Sequence, residues 1–140
     1  MKLRLMGFLP AACLLLAGCG SKKPTVSNPQ SRAVIQHFYG SLFERNWDSA
    51  YAHLHSEVQL KWSRETFATY AANYYTSLRA QPKRLAITAV EEQTDRATAH
   101  IEVHGSGAGH HRFRDALTLR KEGVEWRVVP PKSFGRGLAK

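Results

Sequence analysis

The pattern of apolar positions changes character along the chain. From Leu5 to Leu16 they run almost without interruption, and Gly20 to Ser27 are polar apart from Val26. From Ala33 the apolar residues recur at helical spacing: Val34, Phe38 and Leu42, with Ala33 and Phe43 beside them and Tyr39 at the border. Asn28-Pro29 supplies an N-cap followed by proline at the first helical position, so a helix is predicted from Pro29 to Arg45. Gly40 inside it costs up to ~1 kcal/mol relative to alanine and suits close packing against a neighbour. Asn46-Trp47-Asp48 breaks this helix; Asp48 is expected to cap a short second one, Ser49 to Leu54, with Trp47 plugging the junction. Ser63 is placed to cap a third helix, Arg64 to Arg79, whose Phe67, Tyr70, Ala71, Tyr74 and Leu78 share one face. Pro82 is expected to close the helical half.

Beyond Pro82 the period becomes two. Leu85, Ile87 and Ala89 alternate with Arg84, Ala86 and Thr88. Ala97, Ala99, Ile101 and Val103 alternate with Arg96, Thr98, His100, Glu102 and His104. This is the signature of strands with one buried face. Gly105 to Gly109 reads as a turn, followed by a strand from about His110 to Arg120 with His111, Phe113, Asp115, Leu117 and Leu119 on one side. Lys121-Glu122-Gly123 turns the chain into Val124 to Val129, where Trp126 and Val128 should face inward, and Pro130-Pro131 ends that strand.

Helices followed by an antiparallel meander predict an α+β fold, with the N-terminal helices packed on one face of a curved, four-stranded, cone-like sheet. The segments Ala33 to Phe43, Asn46-Trp47-Asp48-Ser49-Ala50-Tyr51 and the hairpin Leu117 to Val129 resemble the nuclear transport factor 2-like superfamily. In that superfamily the second segment looks like the junction of the first two helices, and the hairpin looks like the last two strands. The resemblance spans about Ser31 to Val129 and implies a cone with an internal pocket, as in ketosteroid isomerase and scytalone dehydratase. Its motifs mark the fold and carry no catalytic residue. Many small exported lipoproteins with such a domain, the subgroup this chain resembles, have no known activity.

The N-terminal segment changes the expected location. Lys2 and Arg4 precede the apolar run, which is too short to span a bilayer as a mature helix. Leu16-Ala17-Gly18-Cys19 resembles the lipobox of bacterial lipoproteins. The resemblance implies a diacylglycerol on the Cys19 thiol, cleavage before Cys19 and acylation of the new amine. The expected organisation is a signal peptide at 1–18, a lipidated tether at 19–27, a domain at 28–131 and a basic flexible tail at 132–140. Eight extended tether residues reach at most about 28 Å, so the domain would sit close to its membrane. Gly20 is not the aspartate that commonly retains lipoproteins at an inner membrane, so in a two-membrane host the outer membrane, facing the periplasm, is expected. The other cysteine, Cys13, lies in the apolar run and leaves the mature part without a disulfide pair. Without Lys2 and Arg4, 18 basic residues oppose 11 acidic ones, a net charge of +7. Such a charge favours solubility or anionic envelope surfaces; export argues against nucleic acid.

The candidate chemistry is sparse. His100 and His104 would lie about 13 Å apart along one strand, too far for one ion whose Zn–N bonds measure about 2.0–2.1 Å. A trio of His104, His110 and His111 would need the glycine turn to gather it, so no metal and no cofactor is expected. His37, His53 and His55 are expected to face solvent. Asp115 is the notable carboxylate. Its parity places it with Phe113, Leu117 and Leu119 on the apolar side, partly desolvated, where a carboxylate suits proton transfer. The alternative, which is preferred, is a structural Asp115 paired with Arg112, Arg114 or another basic residue. Tyr39, Tyr70 and Tyr74, with Phe113 and Asp115, are the expected pocket residues; no catalytic residue is assigned. The leading expectation is a membrane-anchored envelope lipoprotein whose domain binds a small molecule or protein partner without catalysis. The alternatives are a small pocket enzyme of isomerase or dehydratase type and a structural module of an envelope assembly.

Overall fold

The structure is a computed structural model that describes residues 28–107 and 111–136. Residues 1–27, which hold the expected signal peptide, lipidated Cys19 and tether, lie outside the described residues, as do His110 and residues 137–140. Four helices precede four strands: α1 (Pro29–Phe43), α2 (Trp47–Ala52), α3 (Ser56–Lys61), α4 (Arg64–Ser77), β1 (Gln81–Glu92), β2 (Arg96–Ser106), β3 (His111–Glu122) and β4 (Glu125–Val129). The strands form one antiparallel sheet in the order β1-β2-β3-β4. The predicted α+β architecture is therefore the observed one.

Local chemistry explains each helix start. Asn28 Oδ1 accepts from the Gln30 amide at 2.9 Å, and Ser63 Oγ from the Thr66 amide at 3.1 Å. α2 starts two residues earlier than predicted, because Asn46 rather than Asp48 caps it, Oδ1 accepting from the Ser49 amide at 3.1 Å. That shift puts Trp47 at the first helical position, where it is only half-buried instead of plugging the core. α3 was not anticipated. His55 caps it, Nδ1 accepting from the Glu57 amide at 3.2 Å, and is 6 % exposed, against the expectation that it faces solvent. His37 is exposed, and its ring stacks on that of half-buried His53 at 5.9 Å.

Pro82 does not close the helical half; it is the second residue of β1. It is tolerated there because β1 is an edge strand, and the register shifts between Pro82 and Arg84. A second shift between Ile87 and Ala89 adds to the bend of the long β1–β2 hairpin. The opposite edge is paired around Val128: the His55 amide donates to the Val128 carbonyl at 2.9 Å, and the Val128 amide to the His53 carbonyl at 2.8 Å. Pairing of this kind blunts an open sheet edge.

The core lies between the helices and one sheet face. Ile35, Phe38, Tyr39 and Leu42 of α1 meet Phe67 and Ala71 of α4 and the inward positions of the strands: Ala97, Ala99, Ile101, Val103, Leu117, Leu119, Trp126 and Val128. The chain does not become a flexible tail at residue 132. Lys132–Gly135 form a turn in which Phe134 is 3 % exposed. Its ring stacks on Tyr74 at 4.9 Å and on Phe67 at 6.0 Å. Gly135 follows with φ 61°, pressed against the Tyr70 backbone where no Cβ would fit. The Asn73 side-chain amide donates to its carbonyl at 3.1 Å.

Candidate functional site

β4 pairs with β3 only from Thr118 onward, so the first half of β3 has β2 on one side and no strand on the other. Pro130 and Pro131 stop β4, since neither can donate to a ladder, and the C-terminal turn crosses the vacated space. Asp115 lies at this open stretch. Its side chain points to the helix-covered face, with Leu117 and Leu119, while Arg112, Arg114 and Ala116 point out.

Two helices reach Asp115. The Tyr39 hydroxyl of α1 donates to Asp115 Oδ2 at 3.1 Å, and the Tyr74 hydroxyl of α4 donates to the same oxygen at 3.2 Å. The other oxygen, Oδ1, accepts from the Ala116 amide at 2.9 Å. Burial pushes the Tyr39 phenol well above its ordinary range, reinforced by Tyr74 and by the Asp115 carboxylate. Burial raises Tyr74 as well, again with Asp115 adding to the effect. Both phenols therefore keep their protons at neutral pH and act as donors. The expected arginine partners of Asp115 are absent, because Arg112 and Arg114 turn to Glu102 on the outer face, at 3.9 and 3.4 Å.

A cleft of about 180 Å³ opens beside this cluster. Tyr74, Phe113 and Asp115 line it with Ser77, Pro131 and Phe134; Arg114, Leu78 and Ser133 complete the wall. Tyr39 stands behind it, 1 % exposed, and reaches it through Asp115 and through Tyr74, whose ring lies 6.4 Å from its own. Tyr70 is elsewhere: its ring meets Trp62 edge-on at 5.1 Å, and the Arg136 guanidinium lies 5.9 Å above it. Sequence reasoning missed Ser77, Pro131, Ser133 and Phe134. The one available signal was Phe134 itself, a lone aromatic followed by glycine in an otherwise polar segment.

Among the described residues no group of three or more His, Cys, Asp or Glu is placed to hold a metal ion. His104 instead pairs with Glu102 at 2.8 Å. Chemically, then, the site offers one carboxylate with three donors on it, two hydroxyls from Ser77 and Ser133, and an aromatic wall.

No protein-family model matches the chain, and no curated protein matches it in sequence. Solved structures do match in shape. A protein from Campylobacter jejuni described as an NTF2-like transpeptidase superimposes with a TM-score of 0.56 at 16 % identity, over 73 % of this chain and 97 % of its own. A SEC-C motif-containing protein from Rhodopseudomonas palustris gives 0.53 at 12 % identity, over 69 % of this chain and 72 % of its own. At such identities the likeness establishes the fold, and the chain has the NTF2-like α+β fold expected from its helix and hairpin patterns.

Proposed function

We propose that this chain is a lipid-anchored domain of the cell envelope that binds a small ligand or a partner without transforming it. The observation that carries the non-catalytic reading is the state of Asp115. Its carboxylate already accepts from Tyr39, Tyr74 and Ala116, whereas a general base needs an oxygen turned to the substrate's proton. The cleft beside it, about 180 Å³, is smaller than the roughly 300–1,000 Å³ typical of pockets that enclose a small-molecule ligand. It suits a small polar group or one side chain of a partner. The transpeptidase description of the Campylobacter jejuni protein is not extended to this chain: neither a histidine nor a lysine lines the cleft to activate Ser77 or Ser133. Loss of stability, rather than of turnover, is the expected mark of replacing Asp115.

The location rests on Leu16-Ala17-Gly18-Cys19 and the polar residues after it. In a two-membrane host Gly20 directs the protein to the outer membrane, facing the periplasm. Cys19→Ser is expected to abolish labelling by radioactive palmitate and to leave an uncleaved precursor. Normal processing of that variant, with continued partition into the detergent phase, would overturn the lipoprotein reading.

A further inference from the structure

The C-terminal turn borders a second concavity on its other side. Val58 and Trp62 around α3, with Val129 and Pro130 at the end of β4, form the floor of a groove of about 420 Å³. Val58 and Pro130 are buried, and Trp62 and Val129 half-buried. The remaining lining residues are all cations: Lys61 from α3, and Lys132 and Arg136 from the turn. No carboxylate lines the groove.

These cations differ from five arginines elsewhere on the fold that carboxylates neutralise. Arg64 pairs with Asp48, Arg112 and Arg114 with Glu102, Arg120 with Glu57, and Arg127 with Glu125. Lys61, Lys132 and Arg136 have no carboxylate within ion-pair distance among the described residues, which include all 11 acidic side chains of the chain. Arg136 instead rests over the Tyr70 ring. The walls are also held in place. The Tyr51 hydroxyl donates to the Trp62 carbonyl at 2.9 Å, and the turn is locked by Phe134 and Gly135. An apolar floor of ligand size, ringed by unneutralised positive charge on fixed backbone, matches an anion that carries a hydrocarbon body.

We propose that this groove binds a single-chain amphiphilic anion: a carboxylate or phosphate headgroup held by Lys61, Lys132 and Arg136, with its apolar chain laid over Trp62 and Val129. The site is separate from the lipid on Cys19 and from the Asp115 cleft, so it stands or falls independently of both. Every core residue lies between Ile35 and Phe134, so a chain starting at Gly20 keeps the whole packed unit; a cooperative melt confirms this before titration.

The test follows the Trp62 indole N–H by NMR as octanoate, octyltrimethylammonium or inorganic phosphate is added. Octanoate is expected to shift it saturably, with the matched cation and bare phosphate each at least tenfold weaker. The triple variant Lys61→Glu, Lys132→Glu, Arg136→Glu should lose at least tenfold in octanoate affinity. It should keep its melting temperature within a few degrees, since all three side chains are exposed. Equal binding of octanoate and octyltrimethylammonium would overturn the proposal. So would phosphate as tight as octanoate, an unchanged triple variant, or capture by phosphatidylglycerol vesicles without any octanoate binding.

Discussion

Two clefts flank the same C-terminal turn, and they treat charge in opposite ways. On one side Asp115 is hydrogen-bonded from within the fold, by two phenols and a backbone amide, beside a cleft of about 180 Å³. On the other side Lys61, Lys132 and Arg136 surround an apolar groove of about 420 Å³ with no internal counter-ion. A charge whose hydrogen bonds are made inside the fold stabilises that fold; a charge left on a fixed rim is free to select a ligand. The first arrangement reads as structural and the second as a recognition surface, although a few residues of chain separate them.

The comparison depends on the turn being a packed wall, so its removal has the largest expected effect. Phe134→Ala takes a ring out of contact with Tyr74, Phe67, Phe38 and Trp62. It should cost about 3–5 kcal/mol, the usual range for losing a buried aromatic, and should merge the two clefts. Gly135→Ala should be similarly damaging, because its φ of 61° disfavours a side chain and a Cβ would collide with the Tyr70 backbone. Urea denaturation reads both variants. A cost below about 1 kcal/mol for Phe134→Ala would mean that the turn is a loose flap and that the two clefts are one.

A smaller effect should appear at alkaline pH, and only on the Asp115 side. Tyr39 and Tyr74 hold their protons more tightly in the fold than in the unfolded chain, where tyrosine titrates near pH ~10. Groups of raised affinity contribute stability that is complete below the unfolded value. It is lost as pH climbs from there towards the folded value, at up to about 1.4 kcal/mol per pH unit for each tyrosine. Unfolding free energy measured between pH 9 and 11 should fall, and Tyr74→Phe should fall less steeply than the parent. Parallel slopes for the two proteins would show that Tyr74 is not held protonated by Asp115 and by burial.

How much of this was legible in the sequence depends on the range of the interaction. Period-two alternation identified the inward faces of β2, β3 and β4 correctly, since Ala97, Ala99, Ile101, Val103, Leu117, Leu119, Trp126 and Val128 are all buried. In β1 the shift between Ile87 and Ala89 flips the parity, so that Val90 is buried and the expected Ala89 is not. Asn28-Pro29 and Ser63 marked their helices because capping is local. Less common local solutions were not legible. α3 is capped by a histidine, and α1 and α4 are followed by Arg45 and Arg79 at φ 56° and 49°, where glycine would be the usual signal. Pro82 could be taken for a helix stop until β1 proved to be an edge strand. Tertiary partners were hidden altogether. Parity placed Asp115 on the inner face, but its phenols come from positions 76 and 41 residues away, and the nearby arginines face outward. Phe134 was missed because one aromatic in a polar segment has no period.

The sharpest probe of the comparison is also the smallest change, Asp115→Asn. It keeps the volume and removes the charge and one acceptor. The carboxylate uses both oxygens as acceptors, Oδ2 for the two tyrosines and Oδ1 for the Ala116 amide. An amide has one acceptor oxygen. If that oxygen faces the tyrosines, the NH₂ group opposes the Ala116 N–H. If the amide is flipped, the NH₂ group meets the phenols, and at least one hydroxyl proton is stranded in a buried site. The first arrangement turns the exposed Ala116 N–H to solvent and the second strands a phenol, so the variant should lose up to about 1–3 kcal/mol, while octanoate binding in the neighbouring groove stays unchanged. A variant as stable as the parent, or more so, would mean that the carboxylate is poorly satisfied in the fold. Asp115 would then be available for proton transfer, and an isomerase- or dehydratase-type activity would displace the structural role assigned to Asp115.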